Sequence, residues 1–286
     1  VQSAGTAMVR LWREPRVDRD GALDAVVLAH EFTHLVSHRL VGDGAGLFHP
    51  TGLALGEGWS DFGALLFTVR AGDASAPANA GWSGAFAFGG YARSGLIPDA
   101  YYYGSRRLPY SNDLARNALT FRHLMLGERL PATPAPRFGA DGSLNNVQHQ
   151  AGEVWASALW DCFVALLKDP RYTFDAALSR MKRYLVASLA ATPAVPTFLE
   201  ARDALLAVAY ATEPLDHALF VAAFARRGMG PRAVGPERSS QDFRGIVEDF
   251  MGGAGVRLEV PLPGDSLVSC DGDGQLDPGE AARLMV

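Results

Sequence analysis

The chain reads as a mainly α-helical protein with minor β structure, an α+β class in which helices carry the core. Three stretches predict it. Residues 173–225 are rich in Ala and Leu at helical spacing. Residues 152–167 place apolar side chains with the period of an amphipathic helix. Val26-Val27-Leu28-Ala29 runs into His30-Glu31-Phe32-Thr33-His34, which predicts a largely buried helix with two histidines one turn apart.

In chain order, residues 7–12 (Ala-Met-Val-Arg-Leu-Trp) read as a short strand. Residues 18–24 form a polar turn around Gly21, with Asp20 or Asp24 as the cap of the first helix. Residues 42–56 are Gly-rich and read as a loop, flanked by His38 and His49. A second helix with an apolar face is expected over 59–69, opened by Glu57. Residues 71–110 hold little periodicity and read as an irregular segment in which Tyr101-Tyr102-Tyr103 pack over the core. A helix is expected over 112–127, then a Pro/Gly loop over 131–142 and the helix of 152–167. Three helices follow, broken at Thr192-Pro193 to Pro196 and at Glu213-Pro214. Residues 233–264 read as a linker or β-rich exit, and 265–286 as an acidic tail.

With 48% hydrophobic and 20% charged residues, the 286-residue chain has the composition of a globular protein and can bury a sizeable core. A net charge of −5 offers no basic surface for nucleic acid. No apolar run is long enough to span a bilayer as a helix. The first residue is Val, so the chain is expected to begin inside a longer precursor. Of the two cysteines, Cys162 reads as a small buried hydrophobe and Cys270 lies in the tail.

His30-Glu31-Phe32-Thr33-His34 is the motif HExxH. Positions i and i+4 of a helix share a face, so His30 and His34 can aim two imidazoles at one point. Neutral imidazoles are typical zinc ligands, and the intervening Glu31 can act as general base on a water without binding the metal. A catalytic zinc needs a third ligand. The extended form HExxHxxGxxH fails, because Ser37 and Leu40 stand where Gly and His should be. His38 lies in line with His30 and His34 and cannot converge with them on one ion. Glu57, within Gly56-Glu57-Gly58-Trp59-Ser60-Asp61, remains as the ligand, with Asp61 one turn later on the same face to orient a ligand histidine. A solvated acidic helix start is the competing reading of Glu57 and Asp61.

These residues carry a family resemblance. HEFTH followed by GEGWSDF resembles the fungalysin-type secreted metallopeptidases, thermolysin-like zinc peptidases whose third ligand is a Glu. Arg106-Arg107-Leu108-Pro109-Tyr110-Ser111-Asn112-Asp113, Asn117-Ala118-Leu119-Thr120-Phe121, His149-Gln150-Ala151-Gly152-Glu153-Val154-Trp155 and Phe224-Ala225-Arg226-Arg227-Gly228-Met229-Gly230 are similar to further family segments in the same order. Leu35 replaces the family's usual Gly, and the loop before GEGWSD lacks the usual Cys. The resemblance implies a thermolysin-like zincin domain, largely its helical half, over residues 1–232. The substrate-pairing edge strand and the β-rich half would lie upstream of residue 7.

It further implies an extracellular zinc endopeptidase acting on protein or peptide substrates, with a cleaved pro-segment. His149 would stabilise the oxyanion of the tetrahedral intermediate, and Val27 would line the pocket for the residue after the scissile bond. In the tail, Asp271, Asp273, Asp277 and Glu280 have the spacing of oxygen ligands for Ca2+ and read either as a calcium turn opening a further extracellular module or as a disordered acidic linker. The EF-hand match is poor, since Ala282 stands where the bidentate Glu belongs. The alternative to an enzyme is a zinc-binding, catalytically inactive domain of an extracellular multi-module binding or adhesion protein. The intact Glu31 argues against it, because a binding domain has no use for a general base.

Overall fold

The computed structural model describes residues 18–252, together with the backbone of 267–268 and 281–282. The expected strand at 7–12 and the tail candidates Asp271, Asp273, Asp277 and Glu280 lie outside the described residues. The chain divides into two compact units, Val1–Gly253 and Ala254–Val286. In the second, Leu267–Val268 (β1) pairs antiparallel with Ala281–Ala282 (β2).

The first unit is mainly helical. Helix α1 spans Ala25–Leu40 and is capped by Asp24, whose carboxylate accepts from Val26 N at 3.0 Å. Asp20 caps the short turn ahead of it, accepting from Ala22 N. Arg39 sits in the last turn of α1, where a cation complements the helix dipole. One stripe of α1, His30, Thr33 and Ser37, is buried. Leu28, Phe32 and Leu35 are exposed among the described residues, so the apolar run into the motif predicts more burial than this helix has. The helix packs one face on α2 and presents the other outward.

Helix α2 spans Pro50–Thr68, with Pro50 in its first turn. It starts nine residues before the expected Trp59 and absorbs half of the expected Gly-rich loop. The glycines there serve packing rather than turns. A Cβ on Gly58 would meet Gly152 O at 2.6 Å, and one on Gly63 would meet Thr33 Oγ1 at 2.3 Å. Bare backbone at these two positions lets α2 lie close to α1 on one side and, on the other, to α5 (Gln148–Lys168). Glu57 is therefore mid-helix and buried, and Asp61 is fully buried, which overturns the solvated helix start.

Residues 70–110 are irregular, as expected, holding short 3-10 turns and two single-turn helices, α3 (Gly90–Arg93) and α4 (Ala100–Tyr103). Tyr101 is exposed rather than packed, whereas Tyr103 lies against the core. The expected helix over 112–127 is absent; only Phe121–Leu124 makes a 3-10 turn. Side chains compete with the backbone there. Asp113 Oδ1 accepts from Ala115 N, and Asn117 Oδ1 accepts from Leu119 N. Arg227 takes the carbonyls of Ser111, Asn117 and Leu119.

Helix α5 (Gln148–Lys168) is the core helix; it starts four residues before the expected Gly152, so His149 lies in its first turn. Its Trp155 meets Trp59 of α2 edge-on and stacks on Phe224. Cys162 on this helix is a free buried thiol. Helices α6 (Phe174–Ala191), α7 (Phe198–Thr212) and α8 (Pro214–Arg226) break where the prolines predict. Thr197 and Glu200 form a capping box on α7, and Pro214 opens α8. Beyond α8, bridges of Met229 with Asp249 and of Val234 with Val247 fold residues 229–249 on themselves, while Arg202 of α7 donates to the carbonyls of Met229 and Gly230 and the fully buried Phe243 packs on Phe198. No helix among the described residues is long and apolar enough to cross a membrane.

Candidate metal centre

The α1/α2 contact brings three side chains to one point. His30 and His34, one turn apart on α1, bring their Nε2 atoms to 3.0 Å. Glu57 Oε2, from α2, lies 3.4 Å from His30 Nε2 and 3.7 Å from His34 Nε2. A tetrahedral zinc with ligands at about 2.0–2.1 Å holds them roughly 3.3–3.4 Å apart, and this triangle is of that size. Glu57 Oε2 is buried and has no hydrogen-bond partner, an orphaned acceptor that a cation would satisfy. By donor chemistry and spacing, His30, His34 and Glu57 fit a zinc site.

The next layer fixes the rings. Asp61 Oδ1 lies 2.8 Å from His30 Nδ1, which leaves Nε2 free to face the cluster. Arg106 grips Asp61 with two hydrogen bonds, Nε to Oδ2 at 2.5 Å and Nη2 to Oδ1 at 2.6 Å. The Tyr110 hydroxyl donates to Asp61 Oδ2 as well. Phe88 closes the side of the cluster, its ring 4.8 Å from His30 and beneath the Arg106 guanidinium.

The electrostatics follow from burial and these partners. Burial alone would lower the His30 pKa, but Asp61 and Glu57 outweigh it and push it up to about 9. Burial would raise Glu57, yet the His30 and His34 rings beside it hold its carboxyl far below the usual range. Asp61 is likewise held far down against its own burial by Arg106 and His30. The cluster is thus an anionic pocket facing basic nitrogens, a set that exchanges a proton for a metal ion.

Glu31 follows His30 on α1 but lies off the buried stripe. It is exposed and makes no hydrogen bond or ion pair among the described residues. His149, in the first turn of α5, brings Nε2 to 3.4 Å from Glu57 Oε1 on the open side of the cluster. Burial lowers its pKa, with the Glu57 charge opposing. Val27 is half-buried, its Cγ2 3.8 Å from where a Cβ on Gly89 would sit. His38, in the last turn of α1, is half-buried and rests on Phe48. Sequence reading missed Arg106, Tyr110 and Gln148, whose Nε2 lies 3.4 Å from Glu57 Oε1. Arg106 and Tyr110 fall inside a segment that carries the family resemblance, which assigned them no role, and Gln148 precedes His149 with no pattern of its own.

A model of the fungalysin metallopeptidases (M36) matches residues 2–233. The chain belongs to the fungalysin metallopeptidase family. Its mostly helical architecture is consistent with the helical half of a thermolysin-like zincin domain. Among relatives, it is 30% identical over 247 residues to "Extracellular metalloproteinase mep" of Aspergillus terreus, covering 80% of this chain and 34% of that protein. It is 30% identical over 261 residues to the protein of the same name from Aspergillus fumigatus, covering 85% of this chain and 36% of the relative. "Extracellular metalloproteinase 3" of Trichophyton soudanense is 30% identical over 243 residues, which are 80% of this chain and 54% of that protein. The chain thus spans about a third of the length of the Aspergillus relatives.

Proposed function

We propose that the chain carries the metal-binding and proton-transfer apparatus of a zinc-dependent endopeptidase acting on proteins or peptides. His30, His34 and Glu57 hold the ion. When bound, zinc supplies a Lewis acid for the scissile carbonyl and for the attacking water. Glu31 takes the proton from that water and delivers it to the leaving amine. His149 donates a hydrogen bond to the oxyanion from its place at the mouth of the cluster. Asp61 fixes the tautomer of His30, and Val27 lines the pocket for the residue after the scissile bond. Secretion of the protein is part of the same reading, on the extracellular names of the relatives.

One observation carries the proposal: three ligand atoms of zinc-binding type converge, while the carboxylate next in sequence to the first ligand is left exposed and unengaged. The binding-only alternative leaves that carboxylate without a task. The test pairs zinc content with hydrolysis of an unstructured protein substrate, for the chain and for Glu31→Gln. Zinc in both, with hydrolysis lost by at least about a thousandfold in the variant, is the expected result; general-base catalysis alone accounts for about 10²–10⁴. Equal hydrolysis by both proteins overturns the assignment of the base.

A further inference from the structure

His149 is not held in place by its own side chain. That side chain is 47% exposed, and its polar contact is Glu57 at 3.4 Å. Its position is set by the first turn of α5. This turn begins at Val147, whose side chain supplies no cap, so the helix start lacks the usual device against fraying.

Arg107 ties this turn down from outside the helix by another route, donating to it rather than accepting from its free N–H groups. It is fully buried, and its guanidinium makes three hydrogen bonds. Nη2 donates to the carbonyl of Gln150 at 2.7 Å, one residue past His149. Nε donates to Glu153 Oε2 at 2.8 Å, one turn further along α5. Nη1 donates to Asn145 Oδ1 at 2.7 Å, just ahead of the helix. Glu153 Oε1 in turn accepts the backbone N–H of Arg107 at 3.0 Å, which fixes the base of the fork as well as its tip. Asn145 is itself anchored, donating to the carbonyls of Met125 and Glu128.

The neighbouring residue does the corresponding work for the metal ligands. Arg106 grips Asp61, and Asp61 lies against His30. Residues 106–108 form a bend, and the two arginines leave it toward different partners. One dipeptide therefore reaches the ligand-bearing helices with its first residue and the His149-bearing turn with its second.

We infer that Arg107 is a positioning residue: through Gln150 and Glu153 it sets the first turn of α5, and with it His149, in register with the metal centre that Arg106 sets through Asp61. The inference rests on the proposed role of His149 for its catalytic consequence, though not for the clamp itself. Only a planar fork reaches Gln150, Glu153 and Asn145 at once. Lysine at this site keeps the charge beside Glu153 but gives up the fork.

The test is Arg107→Lys, read in two ways. Amide hydrogen exchange of the zinc-loaded protein reports the clamp without reference to activity. The amides of residues 151–154, which bond to the carbonyls of the first turn, are expected to exchange at least tenfold faster than in the parent, with the amides of α1 and α2 unchanged. Equal exchange in both proteins, or a uniform rise across all helices, overturns the clamp. A double-mutant cycle with His149→Ala then reports the consequence. Arg107→Lys is expected to lower kcat about tenfold with KM within twofold, and to have less than a twofold effect when His149 is already absent. An equal loss in both backgrounds makes Arg107 merely structural. If His149→Ala is as active as the parent, the role of His149 fails while the exchange result still decides the clamp. Should Arg107→Lys not fold, the paired change Arg107→Leu with Glu153→Leu, which leaves no lone buried charge, carries the same measurements.

Discussion

Two buried polar clusters in this molecule are built alike and finished differently. At the α5/α8 side, Arg227 is fully buried and all its protons are used. It bonds both oxygens of Asp161 and the carbonyls of Ser111, Asn117 and Leu119. At the α1/α2 side, His30, His34 and Glu57 are brought as close, yet Glu57 Oε2 keeps no hydrogen-bond partner and two imidazole nitrogens face each other at 3.0 Å. The first cluster is closed within the chain, as a structural network must be. The second is closed only by adding a cation. Burial and charge alone do not separate structure from function here; the unmet valence does.

The comparison breaks most sharply by removing one member from each cluster. Arg227→Met strands the buried Asp161 carboxylate and is expected to cost about 3–5 kcal/mol, seen as a large fall in thermal midpoint. His34→Gln is expected to abolish zinc binding while leaving the metal-free midpoint within about 1 kcal/mol of the parent, since a partly exposed group contributes little. Equal destabilisation by the two would erase the distinction.

Proton linkage sharpens it next. In the metal-free protein, His30 titrates at about 9 against an ordinary 6.5. A raised pKa gives stability that is fully present below the unfolded value and is lost as pH rises through the folded one. The metal-free protein should therefore lose on the order of 2–3 kcal/mol between about pH 6.5 and pH 9. Saturating zinc should remove that slope, because the ion replaces the proton. Glu57 and Asp61 are depressed, so their contribution is present above their ordinary values and lost as pH falls below them. Denaturant titrations across pH, with and without zinc, check both limbs.

The helix contacts that assemble the site give a smaller effect. Gly58→Ala forces a methyl against Gly152 O and should cost about 1–3 kcal/mol in chemical denaturation. Gly72→Ala, where nothing lies within 4 Å of the added atom, is the control. Smallest of all, Tyr110→Phe removes one donor from Asp61, which keeps Arg106, and should cost about 1 kcal/mol with zinc still bound.

How much of this was legible in the sequence differs between the same two regions. The i, i+4 spacings of His30 with His34 and of Glu57 with Asp61 each encode one face of a helix and were legible, whereas the meeting of the two faces depends on the packing of α1 on α2. The breaks at Pro193 and Pro214 were readable because proline acts locally. The helix expected over 112–127 was not there, because Asn117 takes a backbone N–H two residues on and Arg227 claims the Asn117 carbonyl from 110 positions away, a non-local demand. Gly52 and Gly56 read as loop residues although they lie in α2, and nothing near Gly58 in sequence says that the backbone of α5 will press against it. Arg107 was invisible as a clamp for the same reason: its partners lie on α5, about 40 residues on.

The central claim is that His30, His34 and Glu57 form one zinc site. Zinc content per folded chain, measured after dialysis against a weak chelator for the parent and for Glu57→Gln, tests it most directly. The account predicts one zinc per parent chain, and binding weakened at least tenfold in a variant that remains folded. A folded parent without stoichiometric zinc, or a variant that holds zinc as tightly as the parent, would contradict it.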